Sequence, residues 1–170
     1  MNQVPTDPPV LGIVQARRMA KYEFELYPHL WERVGHSKII KKLKWRYVFF
    51  NEGNRAEIPK SSGIYMFIVA PRHAYIRDHT YIFYVGKAVN LYERYYQYQT
   101  EQLGEDLAAD RERIVDFLNR FKGHIYFNYL LCPESDLETH EDYLVDHIYP
   151  WANTRHRKSA KAKLLTPQTV

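Results

Sequence analysis

Two apolar runs, GIYMFIVA (63–70) and YIFYVG (81–86), constrain this chain more than any other feature. Both are rich in β-branched and aromatic residues, which pack well on a pleated surface and lose rotamer freedom in a helix. The intervening PRHAYIRDHT is polar and begins with proline, so the runs read as the arms of a hairpin with a long basic loop. Asn90 follows at once and is placed to N-cap a helix reaching about Gln99.

The remaining elements continue the alternation. Leu107, Ile114, Leu118 and Phe121 mark one face of a second helix closed by Gly123, and HIYFNYLL (124–131) returns as a strand. Ser135 with Glu138 three residues on forms a capping box opening a helix that ends near Pro150. The order β, β, α, α, β, α predicts an α+β domain: a small three-stranded, mainly antiparallel sheet flanked by helices. Ahead of it, WRYVFF (45–50) reads as a further strand candidate ended by NEGN, IPKSSG (58–63) as a connector, and 10–27 as weakly helical before Pro28. The chain divides into an N-terminal extension (1–60, a recognition or dimerisation segment), the domain proper (61–156) and a basic tail (157–170).

Composition sets outer limits. The 170 residues are 45% hydrophobic and 26% charged, the mixture of a globular domain and not of a disordered chain. The formal net charge of +4 favours a polyanionic partner. Lys38, Lys41, Lys42, Lys44 and Arg46 form one acid-free segment, and Arg155, Arg157, Lys158, Lys161 and Lys163 form another. Each is either a nucleic-acid contact or a solvated lysine face. Cys132 is the single cysteine, which excludes a disulfide framework and a cysteine-rich zinc cluster. With no basic-then-apolar leader and no 18-residue apolar run, the expectation is a cytoplasmic chain without a membrane partner.

One acid lies out of pattern. Leu137, Glu141, Leu144 and Ile148 share a single stripe of the last helix, so Glu141 faces the sheet. A carboxylate withdrawn from water needs a partner. Either a cationic side chain supplies it, or Glu141 is a ligand for a hard divalent cation, for which oxygen donors are suited. The 15 tyrosines leave a similar choice: Tyr95, Tyr96 and Tyr98 read first as packing residues and Arg94 as a surface ion pair. Lys87, directly after a strand-ending glycine, lies where ligands bind.

Gly63-Ile64-Tyr65 and Tyr84-Val85-Gly86, followed by Lys87-Ala88, Asn90-Leu91, Arg94 and Tyr98, and then by Glu141, Pro150 and Asn153, together resemble the motif set of the GIY-YIG nuclease family. The set is most similar to the nuclease domain of bacterial excision-repair incision proteins, while the overall layout resembles a GIY-YIG restriction endonuclease. The resemblance covers about 61–156; eighteen residues separate Tyr65 from Tyr84, an extended hairpin loop for the family, and residues 1–60 match no known pattern.

The resemblance implies a divalent-metal-dependent DNA endonuclease, restriction-like and sequence-specific. Glu141 would hold Mg²⁺ or Mn²⁺, and Arg94 would clamp a phosphate oxygen with a planar fork. Tyr65 would accept a proton from the attacking water, Tyr84 would orient the water or phosphate, and Tyr98 would contact the phosphate. Asn153 would brace the Glu141 and Arg94 network. Poising a phenol of pKa near 10 at about 7 takes roughly 4 kcal/mol, with Lys87 and hydrated metal as the sources. Double-stranded DNA is the implied partner. Arg72, Arg77, Lys38, Lys41, Lys42, Lys44, Arg155, Arg157 and Lys158 are the candidate contacts, and a homodimer suits a palindromic site. The alternatives are a structure-specific repair or mobile-element nuclease, a non-catalytic nucleic-acid binder on the same fold, and a tyrosine-rich interaction module.

Overall fold

The structure, a computed structural model, describes residues 44–70, 80–101 and 109–153. Its strands are β1 (Arg46–Phe49), β2 (Gly63–Val69), β3 (Tyr81–Ala88) and β4 (Ile125–Leu131). Its helices are α1 (Leu91–Glu101), α2 (Ala109–Arg120) and α3 (Leu137–Ile148), with 3-10 turns at Gly53–Glu57 and Glu134–Asp136. All pairings are antiparallel and the strand order is β1-β4-β2-β3. The α+β class is as the sequence implies. The sheet has four strands against the three expected: WRYVFF contributes β1, which pairs Val48 with Phe127 across some eighty residues of chain.

Both faces of the sheet are covered, which is why six of the seven residues of β2 are buried in an unbroken apolar run. On one face Tyr65, Phe67, Phe83, Phe127 and Tyr129 pack with Leu91, Tyr95 and Tyr98 of α1 and with Ile114, Phe117 and Leu118 of α2. On the other, Ile64, Met66, Val85 and Leu130 pack with Leu137, Leu144 and Val145 of α3. The result is three layers, with β3 forming one rim of the middle layer.

Local chemistry fixes where the helices begin. Asn90 caps α1 as its side chain predicts, its Oδ1 accepting from the Glu93 N–H at 3.2 Å. Leu91 and Tyr92 donate their N–H groups to the carbonyls of Ser61 and Pro59, so the start of α1 is tied to the segment leading into β2. Tyr95 extends the tie: its hydroxyl accepts from the Asn51 N–H (3.0 Å) and donates to the Asn51 carbonyl (2.8 Å). The capping box is not made. The 3-10 turn places Asp136 at the N-cap of α3 without a side-chain cap bond, and the Ser135 hydroxyl donates to Asp136 Oδ1 instead. At the other end of α3, Tyr149 takes φ 57° and donates its N–H to the Val145 carbonyl.

Candidate active site

The site is built on β3, and a bulge decides which side chains face which way. Phe67 pairs with Tyr84 but Ile68 pairs with Ile82, so Phe83 is an extra residue in β3. Strand alternation would send Phe83 and Tyr84 to opposite faces. The extra residue lets both point into the α1/α2 layer, where Phe83 fills the core and Tyr84 packs against its border. Beyond the bulge the alternation resumes. Val85 joins the α3 layer, Gly86 lies against the ring of Tyr65, and Lys87 turns to α3.

Three phenols meet on the α1/α2 side. Tyr65 (1% exposed) and Tyr98 (2% exposed) share a hydrogen bond of 3.0 Å between their hydroxyls. The ring of Tyr84 lies 5.9 Å from that of Tyr65 and 6.5 Å from that of Tyr98, and it is only half buried. Burial pushes the Tyr65 and Tyr98 hydroxyls well above the ordinary phenol value, and raises Tyr84 as well. At Tyr84, hydrogen bonding to Tyr98 and Tyr65 works against the burial effect; Glu141's negative charge adds to it and Arg94's positive charge opposes it. Lys87 therefore does not draw the Tyr65 phenol down, as the sequence suggested: its ammonium faces the other layer, and burial dominates. Arg94 lies within electrostatic reach of all three hydroxyls, and its buried Nε has no hydrogen-bond partner. An arginine spending so little of its donor set among phenols has donors to offer an incoming anion.

Glu141 is on the far side of the β3 rim. Its side chain is 13% exposed, and its Oε2 is 3.0 Å from Lys87 Nζ. The sheet-facing carboxylate has thus found a cation, as desolvation demands. Burial pulls the Lys87 ammonium down, but the hydrogen bond and charge of Glu141, joined by the charge of Glu138, outweigh it and the net shift is upward. Glu141's charge also reaches Tyr84, so that hydroxyl feels both the acid of one layer and the arginine of the other. Among the described residues no group of three His, Cys, Asp or Glu comes together. Magnesium does not require one, since one or two carboxylates, water and phosphate oxygens are its usual partners. A single carboxylate such as that of Glu141 is compatible with that chemistry.

Asn153 locks the rim itself. Its Oδ1 accepts from the Val85 N–H (2.9 Å) and its Nδ2 donates to the Val85 carbonyl (2.7 Å), both bonds buried. The amide thus imitates a neighbouring strand between Tyr84 and Gly86. Ala152 adds an N–H bond to the Phe83 carbonyl at 2.8 Å. Of the candidate DNA contacts, Lys44 is exposed at the approach to β1, and Arg72, Arg77, Lys38, Lys41, Lys42, Arg155, Arg157 and Lys158 lie outside the described residues. Glu138, 3.5 Å from Lys87 Nζ, is a site residue the sequence reading missed, although its i, i+3 spacing to Glu141 was visible. A cavity of about 420 Å³ between Phe49–Gly53, Gln99 and Lys122 contains none of the predicted residues.

In fold the chain is similar to GIY-YIG endonuclease domains. Specifically, it is similar to the N-terminal endonuclease domain of UvrC from Thermotoga maritima bound to its catalytic divalent cation, magnesium, at 16% identity and a TM-score of 0.41, covering 60% of this chain and 93% of that one. A point mutant of that domain gives 17% identity and the same TM-score, covering 62% and 99%. No family model and no curated protein matches the chain. No helix among the described residues is long and apolar enough to cross a membrane.

Proposed function

We propose that the chain is a divalent-metal-dependent endodeoxyribonuclease of the GIY-YIG kind, with its active site across the rim of β3. The observation that carries this reading is the arrangement about β3: the phenols of Tyr65, Tyr84 and Tyr98, with Arg94 of α1 in electrostatic reach, on one side of the rim and the Glu141–Lys87 pair on the other. Phosphodiester hydrolysis asks for that combination: a carboxylate for a hard cation, a fork for a non-bridging oxygen, and a phenol beside the attacking water. A magnesium or manganese ion on Glu141 supplies charge neutralisation at the phosphate and at the departing 3′ oxygen.

The chain's own residues divide the remaining work. Arg94 directs its unspent donors at a phosphate oxygen. Tyr84, the one phenol of the three with a path to solvent, orients the attacking water by a hydrogen bond, and the water's proton leaves to bulk solvent. Tyr65 and Tyr98, joined by their own hydrogen bond, pack behind Tyr84 and fix its ring. Lys87 orients the Glu141 carboxylate through their ion pair, and Asn153 keeps β3 from shifting under Tyr84. Sequence-specific, restriction-like cutting of double-stranded DNA by a cytoplasmic homodimer is the fuller form of the proposal, supported by the acid-free basic segments at 36–51 and 154–170.

Supercoiled plasmid incubated with the protein and Mg²⁺, with EDTA as control, tests it. Discrete metal-dependent bands are expected, abolished in Glu141→Ala and reduced by roughly 100-fold in Arg94→Lys, the loss typical of one misplaced transition-state donor. Smearing removes sequence specificity; binding without cutting, or cutting that survives Glu141→Ala, overturns the active-site reading.

A further inference from the structure

Lys87 is held by two acids of unequal character. Its Nζ lies 3.0 Å from Glu141 Oε2 and 3.5 Å from Glu138 Oε1; the Glu141 side chain is 13% exposed and that of Glu138 81%. The two glutamates sit one turn apart on α3, so they form one flank against the same ammonium. For Glu141 to bind a divalent cation through both oxygens, the one now given to Lys87 has to be released, and even on separate oxygens an ammonium and a dication repel each other. The backbone of Lys87 cannot yield, since it is paired to Ile64 within the sheet. Its four-carbon stem can swing, and Glu138 is the acceptor already in contact.

We propose that Glu138 is a positioning residue for the metal site, receiving the Lys87 ammonium when Glu141 takes up a divalent cation. The inference rests on the reading of Glu141 as the metal ligand. Without Glu138, Lys87 has nowhere to go but Glu141 or open water, and it competes with the cation. With Glu138, the ammonium moves across a shared flank and keeps an acidic partner. Glu138 touches no metal ion in this scheme and acts wholly through Lys87.

Direct titration of the full chain with Mn²⁺, without DNA, separates the possibilities through the electron paramagnetic resonance signal of free Mn²⁺. Five forms are compared: wild type, Glu138→Gln, Lys87→Met, the Glu138→Gln/Lys87→Met double variant and Glu141→Gln, each checked for an unchanged thermal unfolding midpoint. Glu138→Gln should weaken Mn²⁺ binding by about tenfold, in the range found for residues that orient metal ligands. The same substitution should have no effect once Lys87 is methionine, the coupling expected of residues acting through one contact. Unchanged affinity in Glu138→Gln overturns the proposal, as does an equal loss with and without Lys87, which would make Glu138 a ligand or a source of long-range field. If the wild type binds no Mn²⁺, or Glu141→Gln binds it fully, the metal reading of Glu141 fails and carries this inference down with it.

Discussion

Gly86 has the ring of Tyr65 where its side chain would begin. A Cβ there would lie 2.6 Å from both Cζ and the hydroxyl of Tyr65 and 2.8 Å from Cε1 of Tyr84. The glycine of the YVG run therefore answers to a packing demand made by the tyrosine of the GIY run, one strand away. Gly86→Ala should push Tyr65 off its bond to Tyr98 and cost about 1–3 kcal/mol, the range for overfilled cores. The check is a lower urea midpoint with an unchanged slope; a variant as stable as wild type would mean the rings shift freely. At this scale the structure brings Tyr65, Tyr84 and Tyr98 together on one side of the sheet and Lys87 with Glu141 on the other; the sequence spacing said more about which residues are near β3 than about sides. The odd spacing from Tyr84 to Lys87 puts the two side chains on opposite faces of β3.

The elements show why local reading succeeds in some places and stops in others. Asn90 and the hairpin runs act on neighbours a few residues away, and the structure places α1, β2 and β3 close to the expected bounds. The bulge at Phe83, the pairing of β1 with β4 and the hold of Asn153 on Val85 involve partners far apart in sequence, 68 residues in the last case, and no local pattern encodes them. The failed capping box is an intermediate case, in which a correct motif is displaced because the 3-10 turn brings Asp136 to the helix start. Asn153→Ala would leave the N–H and carbonyl of Val85 without their buried partners. A loss of about 1–3 kcal/mol is expected from such unpaired groups. Hydrogen exchange at the Val85 amide should rise far more than at Met66 in β2. Equal protection in the variant would show that water or another group takes over the role.

Over the whole molecule, the buried phenols make alkaline stability a measurable property. Tyr65, Tyr84 and Tyr98 have raised pKa values because burial disfavours the phenolate, and Tyr95 is pushed up to about 12. Below the unfolded phenol value of 10.0 these groups are neutral in both states and their full contribution is present. Above it the unfolded chain ionises while the folded chain resists, so stability falls as pH rises, by about 1.4 kcal/mol per pH unit for each such tyrosine. Urea midpoints should be insensitive to these groups up to about pH 9 and drop steeply above 10. Tyr98→Phe should make the drop shallower; an unchanged slope in that variant would mean Tyr98 titrates as freely as in the unfolded chain.

The hold of Ala152 and Asn153 on Phe83 and Val85 also bears on how copies of the chain meet. A bare outermost strand is a template on which another molecule can extend the sheet, the first step toward fibres. Here three groups in the middle of that edge, the Phe83 carbonyl and both the N–H and carbonyl of Val85, are already engaged by the turn after α3. Strand addition across the middle of β3 must first strip away Ala152 and Asn153, at the cost of their buried bonds.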